Sequence, residues 1–83
     1  MKEEEGKIEG DITVDEEFHF DGIITGNITV VSGGNLILHG TCFGNVFIEE
    51  DAEANIHGTV AGDVHNKGGT LEVHGDVDGN IIE

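Results

Sequence analysis

Apolar and polar residues alternate along almost the whole of this chain. From Gly6 the even positions read Gly6, Ile8, Gly10, Ile12 and Val14, then Phe18, Phe20, Gly22, Ile24, Gly26, Ile28 and Val30. A third run reads Leu36, Leu38, Gly40, Cys42, Gly44, Val46 and Ile48, and a fourth Ala54, Ile56, Gly58, Val60, Gly62 and Val64. The fifth moves to odd positions, with Leu71, Val73, Gly75, Val77, Gly79 and Ile81. The residues between them are mostly His, Asp, Asn, Thr and Glu. A period of two puts one set of side chains on the buried face of half-buried strands and the other set on the outer face. No stretch has helical periodicity, and the apolar positions favour the β-branched residues that suit a pleated sheet. The pattern predicts strands throughout and no helix.

The alternation is carried by a repeat. Gly40-Thr41-Cys42-Phe43-Gly44-Asn45-Val46 has the skeleton Gly-x-x-x-Gly-(Asn/Asp)-aliphatic, which recurs from Gly6, Gly22, Gly58 and Gly75 at spacings of 16, 18, 18 and 17 residues. A period of ~18 residues is too short for a βα unit or a propeller blade and suits one coil of a solenoid. The expected fold is therefore all-β: a single-stranded β-solenoid, roughly triangular, of about five coils. Residues 1–5 read as a frayed acidic lead-in, and 6–83 as one solenoid domain. Polar turns of unequal length, Asp15-Glu16-Glu17, Gly33-Gly34, Glu49 to Ala54 and Gly68-Gly69, account for the variable period. The repeat glycines stand either where a side chain would crowd a narrow interior or where the chain turns with positive φ.

Stacking like positions at the strand spacing of ~4.8 Å predicts a prism on the order of 20–25 Å tall. It also predicts apolar columns, one of Ile8, Ile24, Cys42, Val60 and Val77, and another of Ile12, Ile28, Val46, Val64 and Ile81. A third column, Asp11, Asn27, Asn45, Asp63 and Asn80, reads as a hydrogen-bonded ladder of stacked amides at a corner.

The glycine-aliphatic rungs, clearest at residues 6–12, 58–64 and 75–81, resemble those of the bactofilins, the polymer-forming cytoskeletal domains of bacteria. The likeness runs from about Gly6 to Ile81. It implies a right-handed triangular β-helix without bound nucleotide, polymerising through its coil ends and scaffolding cell-wall enzymes, often at the inner membrane. The left-handed hexapeptide helix of acyltransferases shares an 18-residue coil. It carries an aliphatic residue at every sixth position, whereas here the apolar spacing is two.

Charge narrows the choice of partners. Eighteen acidic residues face three lysines and no arginine, a formal net charge of −15. Nucleic acid and anionic membrane both require a positive patch, so neither is expected as a partner. No apolar run reaches membrane-spanning length and no signal-like segment follows Met1, which makes the cytoplasm the expected location. A lone cysteine, Cys42, on the apolar side of its repeat reads as a buried structural thiol.

Candidate chemistry is sparse. His39, His57 and His74 each precede a repeat glycine, and Asp21 holds that place in the second coil. Stacked, they form an outer column that either repeats a surface residue or offers imidazoles to a metal or a proton. The segment Asp76 to Asn80 and the acidic turn Glu49 to Glu53 imitate parts of a calcium loop. In the former, glycine comes fourth rather than sixth. No nucleophile elbow, phosphate loop or metalloprotease helix is present. The expectation is no enzyme, no cofactor and no metal.

Interfaces are the stronger signal. Ile23, Ile37, Phe43 and Phe47 lie on the polar side, and Ile23, Phe43 and Phe47 form a candidate lateral patch unless a corner turns a phenylalanine inward. Val77, Ile81 and Ile82 belong to a last coil with no polar capping repeat after it, which marks them as a candidate end contact. The expected activity is self-association as a bactofilin-like scaffold, in a dimer or a filament. The alternative is an acidic module that docks a basic protein.

Overall fold

The computed structural model describes the backbone of residues 2–82 and the side chains of residues 5–82. Among the described residues there is no helix. Thirteen strands follow one another: β1 (Lys2–Ile8), β2 (Ile12–Val14), β3 (Glu17–Ile24), β4 (Ile28–Val30), β5 (Asn35–Leu38), β6 (Thr41–Cys42), β7 (Val46–Ile48), β8 (Glu53–Ile56), β9 (Thr59–Val60), β10 (Val64–Asn66), β11 (Thr70–Val73), β12 (Asp76–Val77) and β13 (Ile81–Ile82). Every pairing is parallel and joins a strand to its counterpart one coil away.

The result is a β-solenoid with three faces. One carries β5, β8, β11 and the first halves of β1 and β3, and the second carries β6, β9, β12 and the second halves of β1 and β3. The third carries β2, β4, β7, β10 and β13. Each column holds five residues, one per rung, and so spans about four turns. The 22 Å shortest extent of the molecule matches five rungs at the spacing of parallel strands.

Both predicted apolar columns are present in register. Ile8 pairs with Ile24, Ile24 with Cys42, Cys42 with Val60 and Val60 with Val77. Ile12, Ile28, Val46, Val64 and Ile81 are joined in the same way. Their middle members, with Phe18, Phe20, Leu36, Leu38 and Ile56, fill the interior, and no polar side chain among the described residues is buried there. The Cys42 thiol is fully covered. Burial pushes its pKa up, with a smaller opposing effect from the backbone at Gly44, so the protonated and unreactive form dominates.

Two corners of the prism are built from the repeat glycines; in the first rung Gly6 and Gly10 have positive φ and open space, and beyond it the cause is close approach. A Cβ on Gly40 would meet the backbone of Gly22, one on Gly58 that of Gly40, and one on Gly75 that of Gly58. The third corner is different. There Gly33, Asp51 and Gly68 all have positive φ, at 87°, 65° and 104°.

Three expectations change. The lead-in is not frayed: residues 2–5 belong to β1 and pair in register with residues 18–21. Backbone pairing does not need apolar side chains, so a strand can run through a charged segment. Ala52, read as part of a polar turn, is 4% exposed and joins the core, because the turn folds back through a hydrogen bond from Ala52 N–H to the Glu49 carbonyl. The Asn/Asp column hydrogen-bonds along the axis, but side chain to backbone rather than amide to amide. The N–H groups of Asn27, Asn45, Asp63 and Asn80 each donate to the side-chain oxygen one rung earlier, at 2.7–2.8 Å.

Candidate interaction surface

The interior columns change character at the last rung. In the middle rungs Leu36, Leu38, Cys42, Val46, Ala54, Ile56, Val60 and Val64 have no exposed surface. One rung later the same columns hold Leu71, Val73 and Val77, which are only half-buried, and Ile81, which is 46% exposed. These four residues form a flat apolar end face. Strands β11, β12 and β13 occupy the outer positions of their sheets, so one edge of each is unpaired among the described residues. Sequence reasoning named Val77 and Ile81 but missed Leu71 and Val73. The odd-position alternation of the fifth repeat already placed all four in one set.

Ile82 is not part of that face. It follows inward-directed Ile81 and pairs with His65, so it lies on the outside of the third face, where it is 44% exposed.

The opposite end is chemically unlike. In the first rung the register positions of Phe18 and Phe20 fall to Lys2 and Glu4. Further round, Ile8, Ile12, Val14 and Phe18 line an open depression beside Asp15 and Glu16.

The lateral patch divides. Ile23 lies on the outer side of the second face, 41% exposed, with Lys7 and Thr41 as its neighbours in register. Phe43 follows one residue after β6 on the same face and is 55% exposed. Phe47 is round the corner made by Gly44 and Asn45, in β7 of the third face. There it is half-buried, its ring stacked on His65 at 5.0 Å and the Lys67 ammonium 5.9 Å from its centre. Ile37 is half-buried on the first face between His19 and Asn55. Ile23 and Phe43 are thus both exposed on the second face, and Phe47 lies on the third.

The histidine column is present. The backbone N–H groups of His39, His57 and His74 donate to the carbonyls of Phe20, Leu38 and Ile56 in the preceding rung, at 2.9, 2.8 and 2.7 Å. That pins their positions at the rung spacing. The rings of His39 and His57 stack at 4.8 Å and 7°, and those of His57 and His74 at 4.9 Å and 9°. All three are exposed. Among the described residues no three ligating side chains already converge on a point that could hold a metal ion. The acidic stretches Glu49 to Glu53 and Asp76 to Asn80 do not converge either.

Among the described residues no helix is long and apolar enough to cross a membrane. Comparison of the chain with family models, with curated proteins and with solved structures finds no match in any of the three.

Proposed function

We propose that this protein is a non-enzymatic scaffold that associates with copies of itself through its solenoid ends, in the manner that the resemblance to bacterial bactofilins implies, and that it works in the cytoplasm. The observation that carries the reading is the loss of burial along the inward columns at the last rung. Leu71, Val73, Val77 and Ile81 continue columns that are fully covered in the middle rungs, and they lie beside three strand edges that are unpaired among the described residues. Covering one such aliphatic side chain contributes about 1.5–3 kcal/mol, and an unpaired edge is a template for another strand. A second copy of the same face supplies both the apolar surface and the backbone groups.

Charge favours contact between two C-terminal ends. The first rung and the turn after it carry Glu5, Glu9, Asp11, Asp15 and Glu16 against one lysine, Lys7, among the residues whose side chains are described. The last rung offers apolar residues with fewer carboxylates. Like faces meeting about a two-fold axis close into a discrete pair. Ile23 and Phe43 would then serve contacts between the sides of neighbouring copies.

The test is the mass distribution by light scattering coupled to gel filtration, at low and high salt, for the wild type and Ile81→Asp. Each copy carries −15, so screening should strengthen association. A discrete dimer strengthened by salt supports paired C-terminal ends, and a growing species supports a filament. In either case Ile81→Asp should shift the mass towards the monomer while leaving the β-type circular dichroism intact. A monomer at every salt concentration would sink self-association. It would move the reading to an acidic module docking a basic protein, whose binding should weaken as salt rises.

A further inference from the structure

We propose that the corner column of His39, His57 and His74 is a binding site for a divalent transition-metal ion, held as a chelate by two neighbouring imidazoles. The inference is independent of self-association. It starts from the composition of the whole column. Reading up the corner, the five rungs carry Glu5, Asp21, His39, His57 and His74, and every one of these side chains is a metal-ligating type. The neighbouring outward column on the first face shows no such uniformity, with His19, Ile37, Asn55 and Glu72 in register. Repetition of a surface residue alone therefore does not explain the corner.

Geometry supplies the second part. The three backbones are fixed by the inter-rung hydrogen bonds, while the rings are exposed. Zinc–imidazole bonds of ~2.0–2.1 Å set two nitrogens on one ion roughly 3–3.5 Å apart. The ring centres stand 4.8 and 4.9 Å apart with their planes nearly parallel, so two neighbouring rings need only tilt until one nitrogen of each points at a common ion. Rotation of two exposed side chains achieves this without moving the sheet. Water completes the coordination, and Glu72, whose Oε1 is 3.7 Å from His74 Nε2, is placed to hold that ring or to join the ion. The surrounding negative charge attracts any cation, but two imidazoles select Zn2+, Ni2+ or Cu2+ over Ca2+ and Mg2+.

His57 belongs to both pairs, His39 and His74 to one each, which makes the proposal sharply testable. Untagged protein is titrated with ZnCl2 and with NiCl2 by calorimetry in a non-chelating buffer, and the histidine ring signals are followed by NMR. One ion per chain is expected. His57→Ala should weaken binding more than tenfold, because it breaks both chelates. His39→Ala and His74→Ala should each weaken it only about twofold, since one of two overlapping sites remains. His19→Ala and His65→Ala should have no effect. His39, His57 and His74 are exposed and His19 and His65 half-buried, and unaltered melting temperatures in each variant would show that the fold persists. An equal response in all five variants, equal loss in the three ladder variants, or a CaCl2 titration that moves the same ring signals would each overturn the proposal.

Discussion

At the scale of single residues, the most informative column is that of Asp11, Asn27, Asn45, Asp63 and Asn80. Each of the first four side chains accepts one hydrogen bond from the backbone N–H of the next rung through its Oδ1. The bonds need an oxygen in that place and no donor beside it, which is why Asp and Asn alternate irregularly along the column. Asn45→Asp should therefore hold the Asp63 N–H bond and change the urea midpoint little. Asn45→Ala leaves that half-buried N–H without its acceptor and should cost about 1–2 kcal/mol. Equal destabilisation by both substitutions would show that the amide NH2 matters after all. The column was legible in the sequence as a corner feature. Its bonding was not, because the repeat shows which residues stack but not which atoms of the next rung they meet.

Among the elements, the corners decide most. At two corners the repeat glycines beyond the first rung leave no room for a side chain, and at the third Gly33, Asp51 and Gly68 have positive φ. The sequence left both explanations open for its glycines, and both operate: Gly6 and Gly10 have positive φ with open space around them, whereas Gly40, Gly58 and Gly75 have no room for a Cβ. Asp51 is the only non-glycine residue described with positive φ, at 65°. A β-branched residue tolerates that conformation poorly, so Asp51→Val should destabilise by about 1–2 kcal/mol, whereas Asp51→Gly should not. Gly58→Ala should be worse than Asp51→Val, because its new carbon meets the backbone of Gly40 and no side-chain rotation relieves the clash. Urea unfolding of the three variants checks the order. The same corners explain where the pattern misled. Alternation reports which side of a strand a residue takes, but not which strand face it shares with others. Phe43 and Phe47 therefore read as neighbours although Gly44 and Asn45 turn the chain between them. The Asn/Asp column was the available sign of that corner. Residues 2–5 escaped for a different reason, since a reading based on side chains cannot see a strand held by its backbone.

On the scale of the whole molecule, rungs contact only the rungs beside them, so length should be adjustable in units of one coil. Thr41 pairs with Thr59 and the corner at Gly40 stacks on that at Gly58, so deleting residues 41–58 joins two equivalent points and keeps every inward column. The shortened chain should fold with one turn fewer and melt at a lower temperature, as read by circular dichroism. An unfolded product would show that core sizes, which fall from Phe18 and Phe20 in one rung to Ala54 and Ile56 two rungs on, are matched too closely to be interchanged. The architecture at this scale was almost wholly legible, because a two-residue period inside an 18-residue one leaves few other ways to bury the apolar set.

The compact height of the prism has a further consequence. Fifteen net negative charges are distributed over a 22 Å extent, about one per 1.5 Å, a linear density similar to that of duplex DNA at one per ~1.7 Å. Such an object gathers a cloud of mobile cations close to its walls. Any polyamine or basic chain that touched it would be drawn partly by the release of those ions into bulk solution, as on a nucleic acid. In this respect the folded protein behaves as a short, rigid polyelectrolyte.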